Sequence, residues 1–151
     1  MRWLKVVTLA ATALMAASNS GGQDASPDYQ RLLDVGVFAF GGVGFAGTIS
    51  EGEAAFRKIL VEDHAVETFA RVLSQGGKRE AQVYALCGLY VRDHKAFKQQ
   101  ASQLKSGLPK GQTIMVQTGC TIMPEDARDV IKRIESGDYD MFLGQPDSLK
   151  K

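Results

Sequence analysis

Cysteine, histidine and tryptophan are scarce in this chain, which has two Cys, two His and one Trp in 151 residues. Two thiols allow a single intramolecular bridge, and neither lies in a C-x-x-C redox spacing. An HExxH zinc motif, a Gly-flanked serine with histidine and acid partners, and a paired-carboxylate arrangement are all missing, which leaves no recognisable catalytic constellation. An excess of one charge is missing too. Eighteen basic side chains face seventeen acidic ones, too even a balance for a nucleic-acid clamp that works by neutralising phosphates. No apolar run approaches the ~20 residues of a membrane-spanning helix. With 44% hydrophobic and 23% charged residues, the composition excludes whole-chain disorder, a collagen-like fibre and a multi-pass membrane protein.

The N-terminus has the order of a secretory signal peptide. Arg2 and Lys5 precede the apolar run Val6 to Ala17, and Ala16-Ala17-Ser18 supplies small residues for cleavage. The expected organisation is a signal peptide over 1–20, a flexible polar leader over 21–28, a single helical domain over 29–144 and a polar tail over 145–151. No cysteine precedes Cys87, so no lipid can be attached to one at the cleavage site. The mature chain is therefore expected to be periplasmic or secreted, with no stable membrane anchor. Export in turn suggests a disulfide between Cys87 and Cys120, because thiols in an oxidising compartment are normally paired. Such a bridge would close a loop of about 33 residues and restrict the unfolded chain by roughly 3 to 4 kcal/mol. The alternative is a pair of separate thiols behaving as small hydrophobes.

Val35 to Gly47 carries no charge and contains Gly42-Val43-Gly44-Phe45-Ala46-Gly47, a literal G-x-G-x-x-G. A dinucleotide site would need a second parallel strand ending in an acid near Glu62 or Asp63, and the intervening residues read as consecutive helices instead. The preferred reading is a buried lining loop that inserts Phe38, Phe40 and Phe45 into the core. On this reading Val35 to Phe40 pairs with Thr113 to Gln117 as a short two-stranded ribbon. A third reading is an apolar lip that contacts a partner or a membrane surface. Ser50 and Glu53 have capping-box spacing, which places a helix start at about Glu51.

Shifting the chain by 30 residues aligns Ala55 with Ala85, Val61 with Val91, Asp63-His64 with Asp93-His94, and Gly77 with Gly107. Each unit reads as an apolar helix, an Asp able to cap a following helix, a second helix and a glycine stop, which makes two helical hairpins. Through Ala85-Leu86-Cys87-Gly88-Leu89, a turn and Phe97, residues 50–107 resemble HEAT-like helical-hairpin repeats. GGVGFAGTISEGEAAFRKI resembles a signature of exported bacterial proteins to which no activity is assigned, and that likeness carries over no functional residue. The pairs Asp63-His64 and Asp93-His94 also have metal-ligand chemistry, although equivalent positions on stacked hairpins lie about 10 Å apart, too far for one ion. Further on, Pro124 is expected to open a C-terminal helix that buries Val130, Ile131 and Ile134 and stops at Gly137. Tyr139, Met141 and Phe142 should add a last hydrophobic patch.

The fold class expected is mainly α, a small helical-hairpin (HEAT-like) bundle with a Gly-rich apolar loop and at most a short two-stranded ribbon. The function expected is an exported protein-interaction or structural module, whose partner is another protein and which needs no cofactor. A metal-dependent protein or enzyme built on the two Asp-His pairs is the alternative, and a secreted inhibitor or immunity-type protein is a third.

Overall fold

A computed structural model describes residues 26–75 and 77–144. The expected signal peptide, most of the leader and the polar tail lie outside the described residues. The elements run α1 (Pro27–Asp34), β1 (Phe38–Ala39), α2 (Glu51–Leu60), α3 (Ala65–Ser74), α4 (Arg79–Arg92), α5 (His94–Gly107), β2 (Thr113–Thr118), β3 (Thr121–Asp126), α6 (Ala127–Glu135) and α7 (Asp140–Leu143). Among the described residues no helix is long and apolar enough to cross a membrane.

The centre of the fold is α4. Every residue from Ala81 to Leu89 is buried, as expected of a helix apolar on all sides, and α4 touches α1, α2, α3, α5, α6, β1 and β2. Asp93 then turns the chain sharply: it ends α4 and caps α5, accepting from Lys95 N at 3.1 Å and Ala96 N at 3.0 Å. The end of α5 is held from another part of the chain. Arg128 donates to the carbonyls of Lys105 and Leu108, groups that a helix end leaves without internal partners, and to that of Pro109 just beyond.

The four helices of residues 50–107 form where the periodicity places them, but the fold class needs correction. The bundle carries a three-stranded mixed sheet in the order β1-β2-β3, not a two-stranded ribbon. The two apolar runs do pair, Phe38 with Val116, in parallel orientation, and β3 then adds antiparallel to β2 with Val116 opposite Met123. Pro124 lies within β3, and α6 begins three residues later with Asp126 as its cap, accepting from Arg128 N at 2.8 Å. A hairpin turn at Gly119-Cys120 sends these residues back along β2 before any helix can start. The start of the domain also shifts. Ser26 caps α1 through Tyr29 N at 3.2 Å, so Pro27 and Asp28 are helical and not part of a leader.

Side chains from sheet and helices meet in one aromatic cluster. Phe38, Phe40, Phe56 and Tyr84 pack with ring centroids 4.8 to 5.9 Å apart, mostly edge to face. Tyr139 closes the cluster at 5.4 Å from Phe38. Met141, expected in the last hydrophobic patch, is instead exposed, while Leu143 is buried.

Candidate functional site

The disulfide expected between Cys87 and Cys120 is absent. Cys87 is fully buried in α4, Cys120 is exposed at the β2–β3 turn, and both are free. The physical reason is placement: the middle of the most enclosed helix presents its thiol to the core, out of reach of a hairpin tip. Burial pushes the Cys87 thiol well above its ordinary value, which leaves it unreactive. Titration of the native protein with a thiol-specific chromophore should therefore label one cysteine per chain, and a second should react only after denaturation. Two fast-reacting thiols would contradict this placement.

The two Asp-His pairs do not converge. Asp93 is used as a helix cap, and the exposed His94 ring packs 5.2 Å from Tyr90 and 5.6 Å from Phe97. His64, also exposed, occupies the N-cap of α3 without a capping bond from its side chain, so Asp63 does not repeat the role of Asp93. Among the described residues no group of three or more His, Cys, Asp or Glu side chains could hold a metal ion.

The glycine-rich stretch is held by polar side chains of the helices beside it. Ser50 caps α2 as its spacing implies, accepting from Glu53 N at 3.1 Å. The capping box is only half made, however, because the Glu53 carboxylate turns away from the Ser50 amide. One oxygen accepts from Gly41 N at 2.8 Å, and the other from Arg57 at 2.8 and 2.6 Å. The Glu53 side chain is 0% exposed. Arg57 also donates to the Phe142 carbonyl at 3.1 Å, tying α2 to α7. In a phosphate-binding loop an anion would take such an amide. Here the chain's own carboxylate occupies it, which argues against a nucleotide more directly than the missing second strand does.

The other anchor is Tyr84, whose hydroxyl donates to the Ala39 carbonyl at 2.6 Å and accepts from Ala39 N at 3.0 Å. Ser50 Oγ lies 3.3 Å from the same hydroxyl. Burial is the main cause that pushes the Tyr84 phenol up to about 12. Because the folded-state value exceeds the ordinary 10.0, this contribution is intact below pH 10 and is lost as pH rises toward 12. At neutral pH Tyr84→Phe should cost about 1 to 3 kcal/mol for the abandoned backbone groups. Urea titrations from pH 9 to 12 should show that gap narrowing, since the variant lacks the proton the native state must keep. A constant gap would contradict the assignment.

Between these anchors the chain makes a small hairpin. Val43 and Thr48 exchange backbone bonds of 2.8 and 3.1 Å, and Gly44 and Gly47 turn the chain at φ of 68° and 59°, values that few side-chain-bearing residues adopt. Gly44 N also donates to the Gly119 carbonyl at 3.0 Å, which holds this lip against the β2–β3 turn. Phe38 and Phe40 enter the core as expected, but Phe45 does not. It stands at the tip of the lip with 105% relative exposure. Ile49, Ile122 and Met123 are about half exposed, at 55%, 50% and 49%. Pleat alternation sets Met115, Ile122 and Pro124 on the outer face of the sheet. Gly41 to Ser50 and Gln117 to Pro124 contain no charged residue, so the joined loops form an uncharged end with apolar side chains in solvent.

Of the residues that build this end, Arg57 and Tyr84 were not singled out by their pattern, and Glu53 only as half of a capping box. The Glu53-Arg57 spacing of i,i+4 signals an ion pair on one helix face, but nothing local points to Gly41. Comparison with protein-family models, with curated proteins and with solved structures returns no match.

Proposed function

We propose that the chain is an exported interaction module that binds another protein through the lip at Phe45 and the adjoining outer face of β2 and β3. The observation that carries this reading is a fully exposed phenylalanine on a loop that hydrogen bonds to α2 and to the β2–β3 turn hold in place. Exposed aromatic side chains are costly to hydrate, and on a pre-ordered loop they bind with little further loss of conformational freedom. Aromatic anchors of this kind supply a disproportionate share of binding energy at protein interfaces. The uncharged surroundings favour a partner with an apolar patch over one attracted by charge. The basic-then-apolar N-terminal segment supports placing this encounter in the periplasm or outside the cell.

The test is photo-cross-linking in the organism that makes the protein, with a benzophenone amino acid at position 45 and, as a control, at the exposed Lys98 of α5. One discrete protein adduct from position 45 and none from position 98 is the expected result. Lipid adducts alone, no adduct, or identical products from both sites would overturn the proposal.

A further inference from the structure

The two longest charge-free stretches of residues 26–144 are Val35 to Ser50 and Gly111 to Pro124, and the fold joins them at one end of the molecule. The joint is the bond from the Gly44 amide to the Gly119 carbonyl at 3.0 Å, which sets the lip against the β2–β3 turn. Of the seven large apolar side chains exposed among the described residues, five stand on these two stretches: Phe45, Ile49, Met115, Ile122 and Met123. Two acids that border the sheet are engaged within the chain. Glu125 pairs with Arg133, and Glu80 accepts from Met115 N at 2.9 Å.

Two properties of this end select what covers it. An isologous two-fold contact sets a surface against itself, residue i on j and j on i, so charges close to the axis meet their own kind. An uncharged end escapes that repulsion. The contact also needs one surface to carry both a projection and a seat for it. Phe45 is the projection, and the outer sheet face of Met115, Ile122 and Pro124 is the seat, apolar and supplied with a methionine that adapts its shape to a ring. The Gly119-Cys120 turn connects the two, through its bond to the lip and its place between the strands.

We infer that a second copy of this chain is the partner of the lip, in a two-fold dimer in which Phe45 of each copy rests on the outer face of β2 and β3 of the other. A reciprocal contact of this kind puts its axis between projection and seat, so the two Cys120 turns meet there. The inference rests on the reading of the lip as a protein-binding anchor and names its partner. Two loop tips and one face of a hairpin make a small interface, below about 1,200 Å² in total, the size of transient contacts. The dimer is therefore reversible, with a Kd on the order of 100 μM.

The experiment is sedimentation of the purified native chain from about 10 μM to about 1 mM, where the mass should rise reversibly toward that of two chains. Phe45→Ser should weaken the dimer at least about tenfold, as loss of an aromatic anchor does. Ile122→Lys should weaken it by a similar factor, because it sets a charge against apolar groups that cannot pair with it. Both positions are exposed, so the thermal midpoints should hold and a lost dimer is not a lost fold. Cys120 is exposed and free, and the shortest bis-maleimide should join it to its counterpart in the native chain but not in Phe45→Ser. A chain still monomeric at the highest concentration, a dimer that either variant leaves intact, or a dimer without the Cys120 cross-link would overturn the inference. A monomeric chain whose position 45 captures a different protein would remove the second copy as partner and leave the interaction module standing, whereas lipid adducts alone would remove both.

Discussion

Replacing Gly88 with alanine lowers the unfolding free energy by about 2 to 3 kcal/mol, although alanine is the better helix former by about 1 kcal/mol. The reason is the approach of α3 to α4. A Cβ at Gly88 falls inside the van der Waals envelope of the Phe69 ring. Phe69 cannot move aside as an exposed side chain would: it is 0% exposed, and its ring centroid lies 5.6 Å from that of Phe56. A well-packed interior relieves such an overlap by shifting backbone or forcing strained rotamers. Thermal or urea unfolding measures the loss, and Phe69→Leu in the alanine background should return part of it. The double-mutant cycle should therefore show a coupling of about 1 kcal/mol or more. A rise in stability on Gly88→Ala would mean that the two helices do not meet at this glycine.

Glu53→Ala has the second large effect, about 2 to 3 kcal/mol, and it should be felt mainly at the lip. The substitution leaves the Gly41 amide without its acceptor and breaks a pair whose acidic member is wholly enclosed. Removing one partner of a fully buried pair costs about 3 to 5 kcal/mol. The figure is lower here because the Arg57 side chain is 43% exposed and water can solvate it. Glu53→Gln keeps an acceptor for Gly41 and should cost about half as much. Hydrogen exchange separates a local effect from a global one: the Val43 and Thr48 amides should lose protection in Glu53→Ala while those in the middle of α4 hold theirs. Uniform loss across the chain would show that the carboxylate supports the whole fold and not the loop.

The helices were legible in the sequence because their burial is periodic. Phe56, Ile59 and Leu60 sit at helical spacing and are buried, and Asp93 and Gly107 mark the bounds of α5. The pairing of β1 with β2 was legible from two short apolar runs. The third strand was not, for a physical reason: every residue from Thr121 to Pro124 is exposed, so β3 shows no alternation of polar and apolar positions. Its Pro-Glu-Asp sequence also satisfies the rules for a helix start, and the cap it advertises is real but lies at Asp126. The disulfide failed because separation along the chain says nothing about distance in space. The glycines around Phe45 read equally as a buried lining loop, but they set a turn that faces solvent. The half-made capping box illustrates the same limit. Ser50 acts locally and was readable, while Glu53 bonds to a residue twelve positions back.

The sheet has two borders, and neither is an open template. On the β1 side, the Tyr84 phenol occupies both the N–H and the C=O of Ala39, the groups a fourth strand would need. On the β3 side, Ala127 N bonds to the Gln112 carbonyl in the strand register, so alternation turns the nitrogen of Pro124 outward, where it has no hydrogen to offer. A protein that holds a bare phenylalanine in water thereby denies its neighbours the continuous backbone ladder on which cross-β fibres grow. Crowding of the chain should consequently yield reversible clusters joined at their greasy ends, in place of amyloid.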